Sequence, residues 1–467
     1  MENKHRTFTA CLAATTLMMT TTVFFNGVLD AVQSSLADSS RDWATLAQAV
    51  AMVALALVAR HAPHAVNPRP LTAAAVACAV VGASLAGAGM AIGSPLVLTA
   101  GVCLTSSAVA WAGIPWIVLC SALPFRAMLV CFAGGDLLAI PLALALSSGG
   151  YPFALACYAA TIVVVLVYCG RRTRSAFAGF AQAEAAVDAE VTRPRAILPL
   201  AHNLFVYIFA FTLAYGFAMR YENASGGLLT HWFIVAVLAG VVVYALSSKK
   251  GPRADALFNL ASALLLAGFL LVLLDDERLA SPASISLLCS ETVFCELMNL
   301  SLCAIAARNR SNVLSTIAWG YAAYFAGIEV GAQLGLAVTA LSADAGLVSR
   351  GMVAAVLGGI VLYTLLSIRD FGFDKTIAAV EPEPEAQATA PVEVRYTDRV
   401  DARCDELVTQ FGLTEREADV FRLLARGNNT LRIQEELAIT KNTLKYHARH
   451  IYEKTGVHSQ QELIDLL

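Results

Sequence analysis

Six ionisable residues stand inside otherwise apolar stretches of this chain: Asp136, His202, His231, Glu291, Glu296 and Glu329. A charged side chain in hydrocarbon is costly, and such residues usually face a bundle interior or a water-filled cavity. Two readings stay open for them. Asp136, Glu291, Glu296 and Glu329 form a ligand pocket or a proton-linked site, or they are neutral carboxyls hydrogen-bonded to neighbouring helices. No lysine or arginine lies deep in the same stretches, which weakens a charge-coupled transport cycle. A second group has other chemistry. Leu444, His447, Ala448, Ile451 and Tyr452 recur at helical spacing, and this leaves Asn442, Lys445, Tyr446, Arg449 and Glu453 on the opposite face. Its cations are either a solvated surface or donors held out to a partner. No nucleophile, base and orienting acid fall in a defensible order, so an enzyme is not expected.

The elements that position these groups follow from composition. The 467 residues are 58% hydrophobic and only 14% charged, where a soluble domain averages about 25% charged. The charges are unevenly placed. Residues 400–467 carry nine basic and eleven acidic side chains, so the remaining 399 residues share only 47. The expected class is all-α, a polytopic membrane bundle followed by a small polar domain. The 11 cysteines are odd in number and show no C-x-x-C pair, so they read as small apolar fillers. No metal and no cofactor are expected.

About 20 apolar residues cross a bilayer as a helix. Runs of that kind are Phe8–Val28, Trp43–Val58, Leu71–Ile92, Leu96–Leu119, Ala127–Leu146 and Pro152–Cys169. After a basic interval come Ile197–Met219, Leu228–Leu246, Ala254–Leu274, Ala283–Ala306, Val313–Ala340 and Met352–Ile368. The first run is retained rather than cleaved, because it lacks a small-residue cleavage site. With the N-terminus inside, fifteen basic residues fall on inside segments, against Arg41, Arg220, Arg278 and Arg350 outside. The bias places both termini in the cytoplasm, with the bundle in the lipid of a bacterial inner (plasma) membrane.

Twelve spans in a six-plus-six layout, broken by the basic interval Arg171–Arg195, resemble the major facilitator superfamily. The resemblance covers residues 1–369 and rests on layout alone. The glycine- and Asp-containing loop that this family carries after its second helix is absent from Arg60–Pro70. Residues 370–399 then form a linker. Its Glu-Pro-Glu-Pro-Glu core has too little apolar area to offset chain entropy, and it is expected to be disordered.

Residues 400–467 read as four short helices with a tight turn between the second and third. Thr414 and Glu417 have capping-box spacing, as do Ser459 and Glu462, while Asn429 and Thr440 can cap the helices between them. The text Leu-Thr-Glu-Arg-Glu (413–417), Val-Phe-Arg-Leu-Leu-Ala-Arg-Gly (420–427), Asn-Thr-Leu-Lys-Tyr-His (442–447) and Ile-Tyr-Glu-Lys-Thr-Gly-Val (451–457) resembles the LuxR (NarL/FixJ) helix-turn-helix domain. That resemblance implies promoter DNA as partner, a homodimer on DNA through the last helix, and contact with RNA polymerase. It assigns base reading to Lys445, Tyr446 and Arg449, and phosphate contacts to Thr430, Thr443 and Lys454. Gln434 departs from it, standing where a small alanine is usual.

The function expected is a membrane-embedded one-component transcription regulator. The membrane domain would sense a small molecule or envelope signal, and the tethered domain would bind DNA. The alternatives are a secondary transporter with an appended regulatory domain, and a helix-turn-helix module that docks on protein.

Overall fold

The structure is a computed structural model. It describes residues 2–61, 66–147, 149–177, 203–221, 228–274, 277–308, 313–342, 355, 359, 372–380, 404, 407–408, 410–425, 433–434, 437, 439–457 and 460–464. The chain divides into two compact units, Met1–Pro382 and Glu383–Leu467.

The apolar runs of the first unit form helices, as backbone groups without water require. They are α1 (Glu2–Phe24), α2 (Ser40–His61), α3 (Pro68–Ile92), α4 (Pro95–Cys120), α5 (Phe125–Ser147) and α6 (Tyr151–Arg172). The second half supplies α7 (Asn203–Tyr221), α8 (Leu228–Ser247), α9 (Ala254–Leu273), α10 (Glu277–Arg308) and α11 (Val313–Ser342). Among the described residues ten helices are long and apolar enough to cross a membrane, and Leu204–Arg220 in α7 is a shorter apolar stretch. The expected last span, Met352–Ile368, lies outside the described residues save for 355 and 359, as does His202.

Among the described residues the helix pairings of the second half repeat those of the first. α1 packs on α5 and α7 on α11; α3 on α4 and α9 on α10; α2 on α4 and α8 on α10. The halves meet through α2 against α11 and α5 against α8, which is the same pairing carried six helices along. Each half is therefore one structural repeat, joined to the other about a pseudo-two-fold. Small residues permit the closest crossings. Gly327 and Gly331, four apart on α11, face Thr212 and Leu213 on α7, while Gly216 on α7 faces the Ile328 carbonyl. A Cβ at any of the three would collide with backbone or a hydroxyl. This is the small-xxx-small packing of membrane helices.

One expectation needs correction. The linker does not begin at residue 370, because Phe373–Ala379 fold as a short helix, α12, on the membrane unit. Phe373 is fully buried, with its ring 5.2 Å from that of Phe258. Asp374 Oδ1 accepts from the Ala254 amide at 2.9 Å, and Asp255 Oδ1 accepts from the Phe373 amide at 2.7 Å. Each aspartate thus satisfies the open N-terminus of the other's helix. Arg308 closes the far end by donating to the Ala378 and Val380 carbonyls at 3.4 and 3.3 Å. A buried aromatic and paired caps outweigh the low apolar content of the sequence around them. Residues 381–399 of the expected linker lie outside the described residues.

Candidate nucleic-acid interface and buried acidic cluster

In the second unit Thr414 opens α13 (Glu415–Ala425). Its amide and hydroxyl donate to Glu417 Oε2 at 2.8 and 2.9 Å, and the Glu417 amide returns to the Thr414 hydroxyl at 3.4 Å. This is the capping box read in the sequence. α13 buries Val420, Phe421 and Leu424 against Ile433, Leu444, Ile451, Val457 and Leu463. Ile439 donates to the Gln434 carbonyl at 3.2 Å, closing the turn before the next helix. That helix, α14 (Lys441–Thr455), is capped by Thr440, whose hydroxyl accepts from the Thr443 amide at 3.3 Å. It stops at Gly456, where φ of +76° puts the residue in the left-handed region natural to a glycine C′ position. In α15 (Gln460–Ile464), Leu463 is fully buried, and Gln460 Nε2 donates to the Leu424 carbonyl at 3.0 Å. Asn429, Thr430 and Ser459 lie outside the described residues.

Leu444 and Ile451 point into this core, with Ala448 and Tyr452 partly buried against it, whereas Asn442, Thr443, Lys445, Tyr446, Arg449 and Glu453 are all exposed. Tyr446 leans along the helix on His450, ring centroids 4.3 Å apart, and keeps more than half its surface open. Arg449 Nε donates to Glu453 Oε1 at 2.9 Å in an exposed i,i+4 pair. Such a pair contributes about 0.2–1 kcal/mol. A good guanine contact gives about 1–3 kcal/mol of discrimination, so DNA can win Arg449 from Glu453. Thr443 shares a 2.9 Å hydroxyl contact with Thr440 at the helix N-terminus, where free amides and the helix dipole favour phosphate.

Lys454 is placed differently from its fellows. Its ammonium donates to Glu417 Oε2 at 2.7 Å and to the Gly412 carbonyl at 3.2 Å. Glu417 is 6% exposed. Burial alone would raise its pKa, but the hydrogen bonds from Lys454 and from the Thr414 amide and hydroxyl outweigh that and hold it at about 2. This cation therefore fixes the end of α14 on the start of α13. Sequence spacing offers no sign of it, since the partners are 37 residues apart.

In the membrane unit three of the four expected carboxyls come together. Asp136 on α5 lies within electrostatic reach of Glu296 on α10, with Glu291 one and a half turns earlier on α10. Glu291 accepts from the Tyr324 hydroxyl of α11, and the Tyr321 hydroxyl donates to Asn299 Oδ1 at 2.9 Å. Glu329 is not part of this group. Its carboxyl accepts from Gln333 at 2.8 Å, and its charged neighbours are Asp42 and Arg220. Arg220 on α7 grips both Asp42 oxygens on α2 at 2.7 and 2.8 Å, bridging the two halves. The tyrosines and Asn299 were not singled out from sequence. The Glu291, Cys295, Asn299 series at i, i+4, i+8 was the available signal.

Comparison with known proteins divides the same way as the fold. Residues 412–467 match the family model "Bacterial regulatory proteins, luxR family". The chain is 42% identical over 53 residues to the Fimbriae Z protein of Salmonella typhimurium, 11% of this chain and 25% of that protein. It is 37% identical over 54 residues to the probable transcriptional regulatory protein SgaR of Hyphomicrobium methylovorum, 12% and 26% of the two chains. It is 32% identical over 73 residues to the uncharacterized response regulatory protein YgeK of Escherichia coli K12, 15% and 50%. The chain thus spans a quarter to a half of these relatives. Among solved structures, the major facilitator superfamily proton:xylose symporter XylE superposes with a TM-score of 0.52 at 11% identity, over 78% of this chain and 96% of its own. That likeness shows the fold alone. A LuxR-type helix-turn-helix domain follows a membrane unit with a major-facilitator-like fold.

Proposed function

We propose that this protein is a membrane-embedded one-component transcription regulator, with the helix bundle as sensor and the C-terminal domain as the DNA-binding output. The observation that carries the reading is the exposed face of α14, where Lys445, Tyr446 and Arg449 stand clear of the core on a capped helix. Lys445 and Arg449 reach base edges, Tyr446 stacks or packs beside them, and Thr443, Thr430 and Lys454 set register on phosphates. Two domains on adjacent half-sites form a homodimer, with RNA polymerase as the next contact. Both termini lie on the cytoplasmic side of the inner membrane, as the basic residues favour. No catalysis is involved.

The test is chromatin immunoprecipitation of the intact protein against the Lys445→Ala/Arg449→Ala double variant. Discrete promoter peaks that vanish in the double variant support the reading; equal occupancy overturns it. Secondary transport is the second reading, favoured by the fold likeness. Ligand uptake into vesicles that survives deletion of residues 400–467 would support it.

A further inference from the structure

The membrane bundle buries three carboxyl groups close to one another. Asp136 sits midway along α5, and Glu291 and Glu296 near the middle of α10, so all three stand at the depth of the hydrocarbon. They lie where the halves meet, since α5 belongs to the first repeat and α10 and α11 to the second. Glu296 is only 1% exposed, and neither of its carboxylate oxygens receives a hydrogen bond. The group facing it is Asp136, another acceptor unless one of the two holds a proton. The cation within electrostatic reach of Glu291 is Arg41, in the first turn of α2 and hence at the end of a span. A buried acceptor pair of this kind is satisfied either by a shared proton or by a donor that carries positive charge.

The surroundings narrow its class. Among the described residues no group of three or more His, Cys, Asp and Glu side chains could hold a metal ion. Tyr324 donates to Glu291, Tyr321 sits beside it on α11, and Tyr215 on α7 is within electrostatic reach of Glu291. Phenolic rings next to carboxylates suit an ammonium group, which gains from both the charge and the aromatic face. Resting on the sensor reading above, we infer that Asp136, Glu291 and Glu296 form the binding site for a small organic amine, taken up as its ammonium form with its nitrogen at the Asp136–Glu296 pair. Its carbon skeleton, or a second amino group where it has one, lies toward Glu291 and the tyrosine rings. A cation seated there touches both repeats at once, so its binding biases how they associate.

Full-length protein in lipid nanodiscs is tested by thermal unfolding with a panel of probes: phenethylamine, butylamine and 1,4-diaminobutane, against the uncharged 2-phenylethanol and the anionic 3-phenylpropionate. Stabilisation follows mass action for a ligand that binds only the folded state. At least one amine should raise Tm, with no shift from the alcohol or the acid. Glu296→Gln and Asp136→Asn should weaken that amine's apparent affinity tenfold or more, while Glu296→Asp retains most of it. Should Glu296→Gln fail to fold, Asp136→Asn and Glu291→Gln carry the same comparison. No amine shifting the wild type, an equal shift in the neutralised variants, or a pH-dependent Tm with no amine effect (a proton site only) each overturns the inference. Promoter occupancy is read separately. Amine binding that leaves occupancy unchanged would retain the site and reject the sensor reading.

Discussion

Lys454, in the last turn of α14, donates to Glu417, in the first turn of α13, across 2.7 Å. The same Glu417 oxygen completes the capping box with Thr414. One carboxylate therefore both starts α13 and locks α14 onto it.

Because Glu417 is held at about 2 in the folded domain, below the roughly 4.3 of a free glutamate, its contribution has a definite sign. A depressed pKa stabilises the fold above the unfolded value and is lost as pH falls toward the folded one. Stability of a 383–467 fragment should be flat above about pH 5 and decline between about pH 4.5 and 2. The part due to this group should be about 1–2 kcal/mol, discounted because Lys454 is partly exposed. Glu417→Gln should flatten that portion of the urea-unfolding profile against pH.

Salt dependence separates the two roles of Lys454. A phosphate contact contributes about −0.9 to the slope of log affinity against log salt. Lys454→Met should lower the unfolding midpoint of the domain yet change that slope by less than half this amount. A full change of about 0.9 with unaltered stability would make Lys454 mainly a phosphate donor.

Arg449 is engaged with Glu453 before DNA arrives. Removing that competitor by Glu453→Ala should tighten specific binding by up to about fivefold in fluorescence anisotropy, in line with an exposed pair of 0.2–1 kcal/mol. Lys445→Ala and Arg449→Ala should each weaken it by about 1–3 kcal/mol.

α12 should detach when its caps are removed. Asp374→Ala or Asp255→Ala takes away an N-terminal cap of about 0.5–2 kcal/mol. Maleimide labelling of Ile377→Cys, a buried position, should then accelerate severalfold in intact membranes. Unchanged labelling would mean that Phe373 and Arg308 hold the helix without the caps.

Orientation is tested by alkaline phosphatase fusions. The enzyme fused after Leu467 should be inactive, and near Asp276 active. The opposite pattern would place the C-terminal domain away from DNA.

Hydropathy located the ten helices long enough to span because each lipid-facing helix needs a long apolar run, and the Thr414/Glu417 and Thr440 caps were legible because capping is local in sequence. The exposed face of α14 followed from its period. What escaped is what tertiary packing decides. The Asp136–Glu296 pair joins residues on separate repeats, and nothing local marks it. Glu329 shares the residue type and apolar setting of Glu291 but turns to a different layer, a distinction that depends on helix rotation. α12 was missed because seven residues beside a proline-rich stretch have no helical pattern of note; their fold comes from Phe258, Asp255 and Arg308 on other helices.

The docking of α12, which ends the described part of the membrane unit at Val380, has a consequence for how a promoter is found if the segment beyond it is a linker. The chain from Val380 to Cys404 reaches about 80 Å at full extension, at roughly 3.4 Å per residue. A soluble regulator searches by diffusing to its operator, sliding and hopping along DNA. On the regulator reading this domain cannot. The chromosome must do the searching, and only loci that pass through a thin shell beneath the membrane are open to control. Transcription of the target would then depend on where the locus lies in the cell as well as on the ligand. Moving the operator to a chromosomal site that seldom approaches the envelope should lower the response at unchanged protein level.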